Sequence, residues 1–137
     1  MNLMPTGEAY MGGGIYLRPR DMLKLGQLYL NGGTWHGRRV LSKVWARAAT
    51  TQYSYFPASD YAPGHGYGYT WHLFEVKVGT KTYKEYMAQG NGGQLVMVVP
   101  ELDLAVVITA GNYGNFPTWR KFFEDLMPQY LIPAAGG

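Results

Sequence analysis

No cysteine occurs in the 137-residue chain. That excludes disulfides, thiolate metal sites and a cysteine nucleophile, but it fixes no compartment, because many exported bacterial proteins also lack the residue. Charge is scarce as well: only 15% of residues are Asp, Glu, Lys or Arg, and the net charge is +3. The densest basic cluster, Arg38-Arg39, is too small for a nucleic-acid face, so no nucleic-acid partner is expected. Long apolar runs are missing too. The richest stretches, 95–99 and 104–110, are split by Pro100, Glu101 and Asp103, so neither reaches the roughly 18 to 20 residues of a membrane span. The opening MNLMPTGEAY has neither the basic n-region nor the apolar h-region of a signal peptide, and it reads as a start made in mid-protein.

What the chain does contain is glycine (19) and tyrosine (12), within a composition that is 47% hydrophobic. At this length one domain, residues 1–137, with a real core is expected. The composition suits a tightly turned, aromatic-rich fold containing β-structure rather than disorder. The run Gly12-Gly13-Gly14 marks unusual backbone angles or a close contact. RPRDMLKLGQLYLNGG then reads as a helix, with Pro19 in its first turn, Asp21 near its positive end and Gly32-Gly33 as its stop. Met22, Leu25, Leu28 and Tyr29 form its apolar stripe. After the turn-rich WHGRRVL, Ser42 caps a second helix that runs to about Thr50.

Residues 51–66, rich in Tyr, Pro and Gly, read as loop. From Tyr67 the period becomes two: YGYTWHLFEV, then TYKEYMA after a turn at Gly79-Thr80, then 96–99 and 104–108 joined by a PELD hairpin turn. The last two runs are nearly continuously aliphatic, so both their faces should be covered. PTWRKFFEDLMPQYL closes the chain as an amphipathic helix capped by Thr118, with Trp119, Phe122, Phe123 and Leu126 on one side. The expectation is α+β: two helices, four antiparallel strands and a helix on the sheet.

Several constellations of chemistry-bearing residues fail on context. His36, His65 and His72 stand 29 and 7 residues apart on different elements, whereas zinc sites draw at least two ligands from one element at close spacing. They read as surface or hydrogen-bonding histidines, and no metal or cofactor is implied. Glu101 and Asp103 sit in a hairpin turn, where acids are common because turns are solvated. GNGGQL lacks the last glycine of a dinucleotide fingerprint and precedes a strand, not the helix whose N-terminus binds phosphate. Acyl-transfer chemistry remains: a glycine-flanked strand start leaves backbone N–H groups open to a developing oxyanion.

GGGIYLRPRDMLKLGQLYLNGGTWHGRRVLSKVW, YGYTWHL and AQGNGGQLVMVVPELDLAVVITAGNY, in that order and spacing over about residues 7–113, resemble the C-terminal portion of the serine β-lactamase-related family. That group comprises class C β-lactamases, penicillin-binding DD-peptidases, esterases and 6-aminohexanoate-oligomer hydrolases. The resemblance implies an antiparallel sheet flanked by helices, beside a helical lobe. It aligns the family's Lys/His-Thr/Ser/Gly-Gly motif with Asn91-Gly92-Gly93 as substrate-binding residues, and gives Gln94 the backbone N–H of an oxyanion hole. Asn91 in place of the usual cation leans toward small ester or amide substrates over β-lactams carrying a carboxylate. The nucleophile motif Ser-x-x-Lys is absent, since Ser42, Ser54 and Ser59 are followed at +3 by Trp45, Pro57 and Ala62. Tyr29-Leu30-Asn31 and Tyr113-Gly114-Asn115 match Tyr-x-Asn only by coincidence of position. The chain is therefore expected to be a fragment of a larger hydrolase, inactive alone, that self-associates through exposed sheet edges. The alternatives are a non-catalytic peptide or cell-wall ligand-binding module and an oligomeric scaffold fragment. The family is often periplasmic or extracellular.

Overall fold

A computed structural model describes residues 3–8, 13–59 and 62–136. Helix α1 (Pro19–Leu30) starts on a proline, whose missing N–H costs nothing in the first turn, and Asp21 there pairs with Lys24 at 2.5 Å. A two-stranded hairpin, β1 (Thr34–Trp35) with β2 (Arg38–Arg39), lies in the segment expected to be a plain connection. Helix α2 (Lys43–Ala49) is capped as expected: the Ser42 hydroxyl accepts from the Trp45 N–H at 3.0 Å. In the opening glycine run, Gly12 lies outside the described residues.

One antiparallel sheet follows, in the order β3-β4-β5-β6-β7-β8. Its strands are β3 (Ser54–Phe56), β4 (His65–Tyr67), β5 (His72–Val78), β6 (Lys81–Gly90), β7 (Gln94–Val99) and β8 (Leu104–Ile108). The α+β class is as the sequence indicates, but there are six strands where four were expected. β3 and β4 arise inside the supposed loop 51–66. Each is three residues long, too short for a period of two to register, and Pro57, Pro63 and Gly64 flank them. YGYTWHLFEV is likewise not one strand: the chain turns at Gly68–Trp71, with Thr70 at φ 67, and β4 pairs back on β5. PELD is a short 3₁₀ turn (Pro100–Leu102) closed by Asp103 in the left-handed region.

Strand parity divides the core into two layers. On one face Leu95, Met97 and Val99 of β7, Tyr83 and Met87 of β6 and Phe74 and Val76 of β5 pack under the C-terminal helix. On the other, Val96 and Val98 join Tyr86 and Trp71 beneath α1. Both faces of β7 are buried, as its aliphatic run requires, whereas every residue of β8 is half-buried. Helix α1 meets the sheet along Met22, Gly26, Tyr29 and Leu30, not along the expected Met22–Leu25–Leu28–Tyr29 line, and Leu25 points outward. The reason is Gly26. A Cβ there would stand 3.0 Å from Val96 and 3.3 Å from Val98, so the missing side chain lets the helix axis settle onto the sheet.

The C-terminal helix opens as α3 (Phe116–Lys121), widens into a π-type segment (Phe122–Leu131) and ends in a last turn, α4 (Ile132–Ala134). Asn115, not Thr118, is its cap, accepting from the Thr118 N–H at 3.3 Å. Pro128 lies inside the wide segment, where it can supply no N–H to the ladder. The buried line becomes Trp119, Phe123, Met127 and Ile132, in steps of four, four and five. The wider turn carries it past the expected Leu126, which is half-buried.

Candidate functional site

Asn91, Gly92 and Gly93 form the turn between β6 and β7, and Gln94 opens β7 opposite Gly90. Gly92 and Gly93 have φ values of 89° and 91°, a region that side chains rarely adopt. Both are also closely overlaid. A Cβ on Gly92 would stand 2.9 Å from the Tyr113 ring, and one on Gly93 would stand 2.9 Å from the Trp119 Cβ.

Three contacts fasten this turn to the segment after β8. The Gly92 carbonyl accepts from the Asn112 N–H at 3.0 Å, and the Asn91 side-chain oxygen accepts from the Gly114 N–H at 3.1 Å. The Gln94 side-chain amide donates to the Ala110 carbonyl. The four expected site residues are thus together and rigidly held. Their neighbour is Tyr113, whose exposed ring lies over Gly92, and Asn115 two residues on is spent on the helix cap. Of the three serines, Ser42 is a helix cap, and Ser54 lies on β3, three strands from β6 and so roughly 14 Å across the sheet.

Two of the three histidines meet. His65 and His72 face each other across β4 and β5 with Nε2···Nδ1 at 2.8 Å, and His65 Nδ1 lies 2.8 Å from the Pro63 carbonyl. That carbonyl can only accept, so it fixes the proton of neutral His65 on Nδ1. His65 Nε2 then accepts from His72 Nδ1–H. Burial, reinforced by the His65 ring, pushes His72 down to about 4. His36 stands apart in the β1–β2 turn, edge-on to Trp35. Among the described residues no group of three His, Asp or Glu side chains could hold a metal. Glu101 has a structural task, accepting from the Lys84 N–H at 3.3 Å.

Sequence reasoning passed over Glu85. It sits between Tyr83 and Met87, in the inward-facing parity of β6, and is only 2% exposed. Its Oε2 has no hydrogen-bond partner among the described residues, and burial alone pushes its carboxyl up to about 8. The signal was present in Tyr-x-Glu-x-Met, where a period of two puts Glu85 on the same face as Tyr83 and Met87. Glu85 lines a cleft of about 290 Å³ between β5 and the C-terminal helix. A second groove, of about 460 Å³, runs from Thr50–Gln52 to Leu73, Tyr86 and Pro100. Neither cavity is lined by Asn91, Gly92, Gly93 or Gln94. No helix among the described residues is long and apolar enough to cross a membrane. No family model matches the chain, and no curated protein matches it.

Proposed function

We propose that the chain is the sheet-forming, C-terminal part of a β-lactamase-related serine hydrolase that acts through an acyl-serine on a small ester or amide. The observation that carries this reading is the Asn91–Gln94 turn. It is a glycine turn at the head of a central β6–β7 hairpin, fastened to the segment after β8, in a sheet with helices on both faces. In that role Gln94 offers its backbone N–H to the oxyanion, and Asn91 lies beside the leaving or carboxylate end of the substrate. A single rigid donor of this kind contributes about 3 kcal/mol to a transition state. Ser-x-x-Lys must come from a segment other than these residues, so the chain alone supplies no nucleophile and no general base. The open edge strand β8 is where further strands, or a second copy, would pair.

The groove of about 460 Å³ over Leu73 and Tyr86 favours the second reading, a non-catalytic module that binds peptide or cell-wall fragments. Labelling separates the two. The 137-residue chain treated with a fluorophosphonate is expected to keep its mass, while a fusion to a helical lobe bearing Ser-x-x-Lys is expected to gain one adduct on that serine. An adduct on Ser42, Ser54 or Ser59 of the chain alone, or a folded fusion that never acylates, overturns the hydrolase reading.

A further inference from the structure

Among the buried polar groups, Glu85 has the least to explain it. A desolvated carboxyl without a partner destabilises a fold, and an apolar residue of the same size would pack there at lower cost. Its surroundings are those of a ligand site. Phe74 and Phe123 pack on each other, ring centroids 5.6 Å apart, as one wall of the cleft, and Val76, Pro63 and Pro128 complete its apolar lining. Phe123 and Pro128 both come from the π-type segment, a wide turn that is frequently found at functional sites.

We propose that the Glu85 cleft binds a small primary ammonium ion carrying an apolar tail, the ammonium against the Glu85 carboxylate and the tail against the wall that Phe74 and Phe123 form together. The cleft, about 290 Å³, fits a ligand of a few heavy atoms in the tail. Aromatic faces attract a cation where an anion would be repelled. A divalent metal is disfavoured by the donor set: among the described residues no group of three His, Asp or Glu side chains could hold one, and Glu124 at the mouth is already paired with Arg120 at 2.6 Å. An anionic ligand would meet Glu85, Glu75 and Glu124 against one Lys77. The titratable groups nearest Glu85 are Tyr83 on its own strand, Glu75 and Lys77 on β5, Glu124 with its partner Arg120 on the helix, and His65 and His72 stacked on Phe74, the cross-strand partner of Glu85; among the described residues none hydrogen-bonds its Oε2. The ligand's ammonium supplies the missing counter-charge.

Because Glu85 holds its proton to about pH 8, binding of a cation must expel it. Calorimetry on the full chain with benzylammonium at millimolar concentration, with benzyl alcohol as the neutral control, tests this. Affinity is expected to rise about tenfold per pH unit from pH 6 to 8 and then level, with one proton released per ligand. Benzyl alcohol and the Glu85→Gln variant at pH 8.5 should each bind at least tenfold more weakly. Equal affinity for the alcohol and the ammonium, or binding that survives Glu85→Gln, overturns the proposal, as does a folded chain that gives no heat. Should Glu85→Gln fail to fold, the Glu85 carboxyl is followed by NMR in the unaltered chain. Benzylammonium must lower its titration midpoint by at least one pH unit, and an unmoved midpoint overturns the proposal equally.

Discussion

Gly93 shows how two demands can converge on one residue. Its φ of 91° disfavours any side chain, and the Cβ of alanine would press on Trp119 and the Phe122 ring at 2.9 and 3.0 Å. Gly93→Ala is therefore expected to lower unfolding stability by about 2–3 kcal/mol, read from urea midpoints at unchanged m-value. An unchanged midpoint would mean that the turn tolerates the methyl, and that the glycine is kept for access to the Gln94 amide alone. Glu85 and His72 carry the second residue-scale prediction, with opposite signs. Glu85 titrates at about 8 in the fold against 4.5 when free, so between those values the folded chain keeps a proton that the unfolded chain sheds. Stability then falls as pH rises, by at most about 1.4 kcal/mol per unit, and levels above pH 8. His72 titrates at about 4 against 6.5, so stability is lost as pH falls through that window, which is narrower than that of Glu85 because the ring is only half-buried. The two trends oppose each other below pH 6.5, leaving Glu85 alone to act from 6.5 to 8. Thermal midpoints should drop across that upper window in the unaltered chain and stay level in Glu85→Gln. A drop of the same size in Glu85→Gln would assign the slope elsewhere.

Elements with a long period were legible, and short ones were not. Helices α1 and α2 and strands β6, β7 and β8 follow from apolar spacing, the Ser42 cap and the turns at Gly79-Thr80 and Pro100–Asp103. Strands β3 and β4 did not, because three residues hold at most two steps of an alternation and their pairing is decided by neighbours across the sheet. Helix faces were legible only to within one position. At α1 a glycine makes the closest contact, and hydrophobic spacing cannot mark a residue that works by having no side chain. The site divides in the same way. The Asn91–Gln94 turn stands out as a motif, whereas Glu85 looks like a surface acid until parity places it beside Tyr83 and Met87. The α1 contact is open to test. Gly26→Leu places a branched side chain where Val96, Val98 and the Ala105 methyl already stand within 3.5 Å of the missing Cβ. The gain in helix propensity, about 1 kcal/mol, is smaller than the overpacking, so a net loss of about 2 kcal/mol is expected. A variant as stable as the parent would show that α1 can lift from the sheet without loss.

At the scale of the whole molecule the open question is what meets the ends of the sheet. One end, β3, is short and exposed, and aromatic stacking of Phe56 on His65 twists it into the His65–His72 cluster. The other, β8, is five aliphatic residues, Leu-Ala-Val-Val-Ile, with no charge, no proline and, among the described residues, one unpaired side. Natural edge strands are blunted by a charge, a proline or a bulge, and β8 has none of these within its span. Pairing of two β8 strands would bury both open edges and extend the sheet without a break. The chain is therefore expected to self-associate above micromolar concentration, with light-scattering mass falling toward the monomer on dilution. Val106→Lys places a charge on a half-buried edge position that packs on the core, from which the long side chain can reach water, so it should favour the monomer at a cost of about 1–2 kcal/mol in stability. A parent chain that stays monomeric at every concentration would mean that β8 is already shielded by its own twist. Association that persists in Val106→Lys would move the interface to β3, where the exposed Tyr55 and Phe56 offer the next apolar edge.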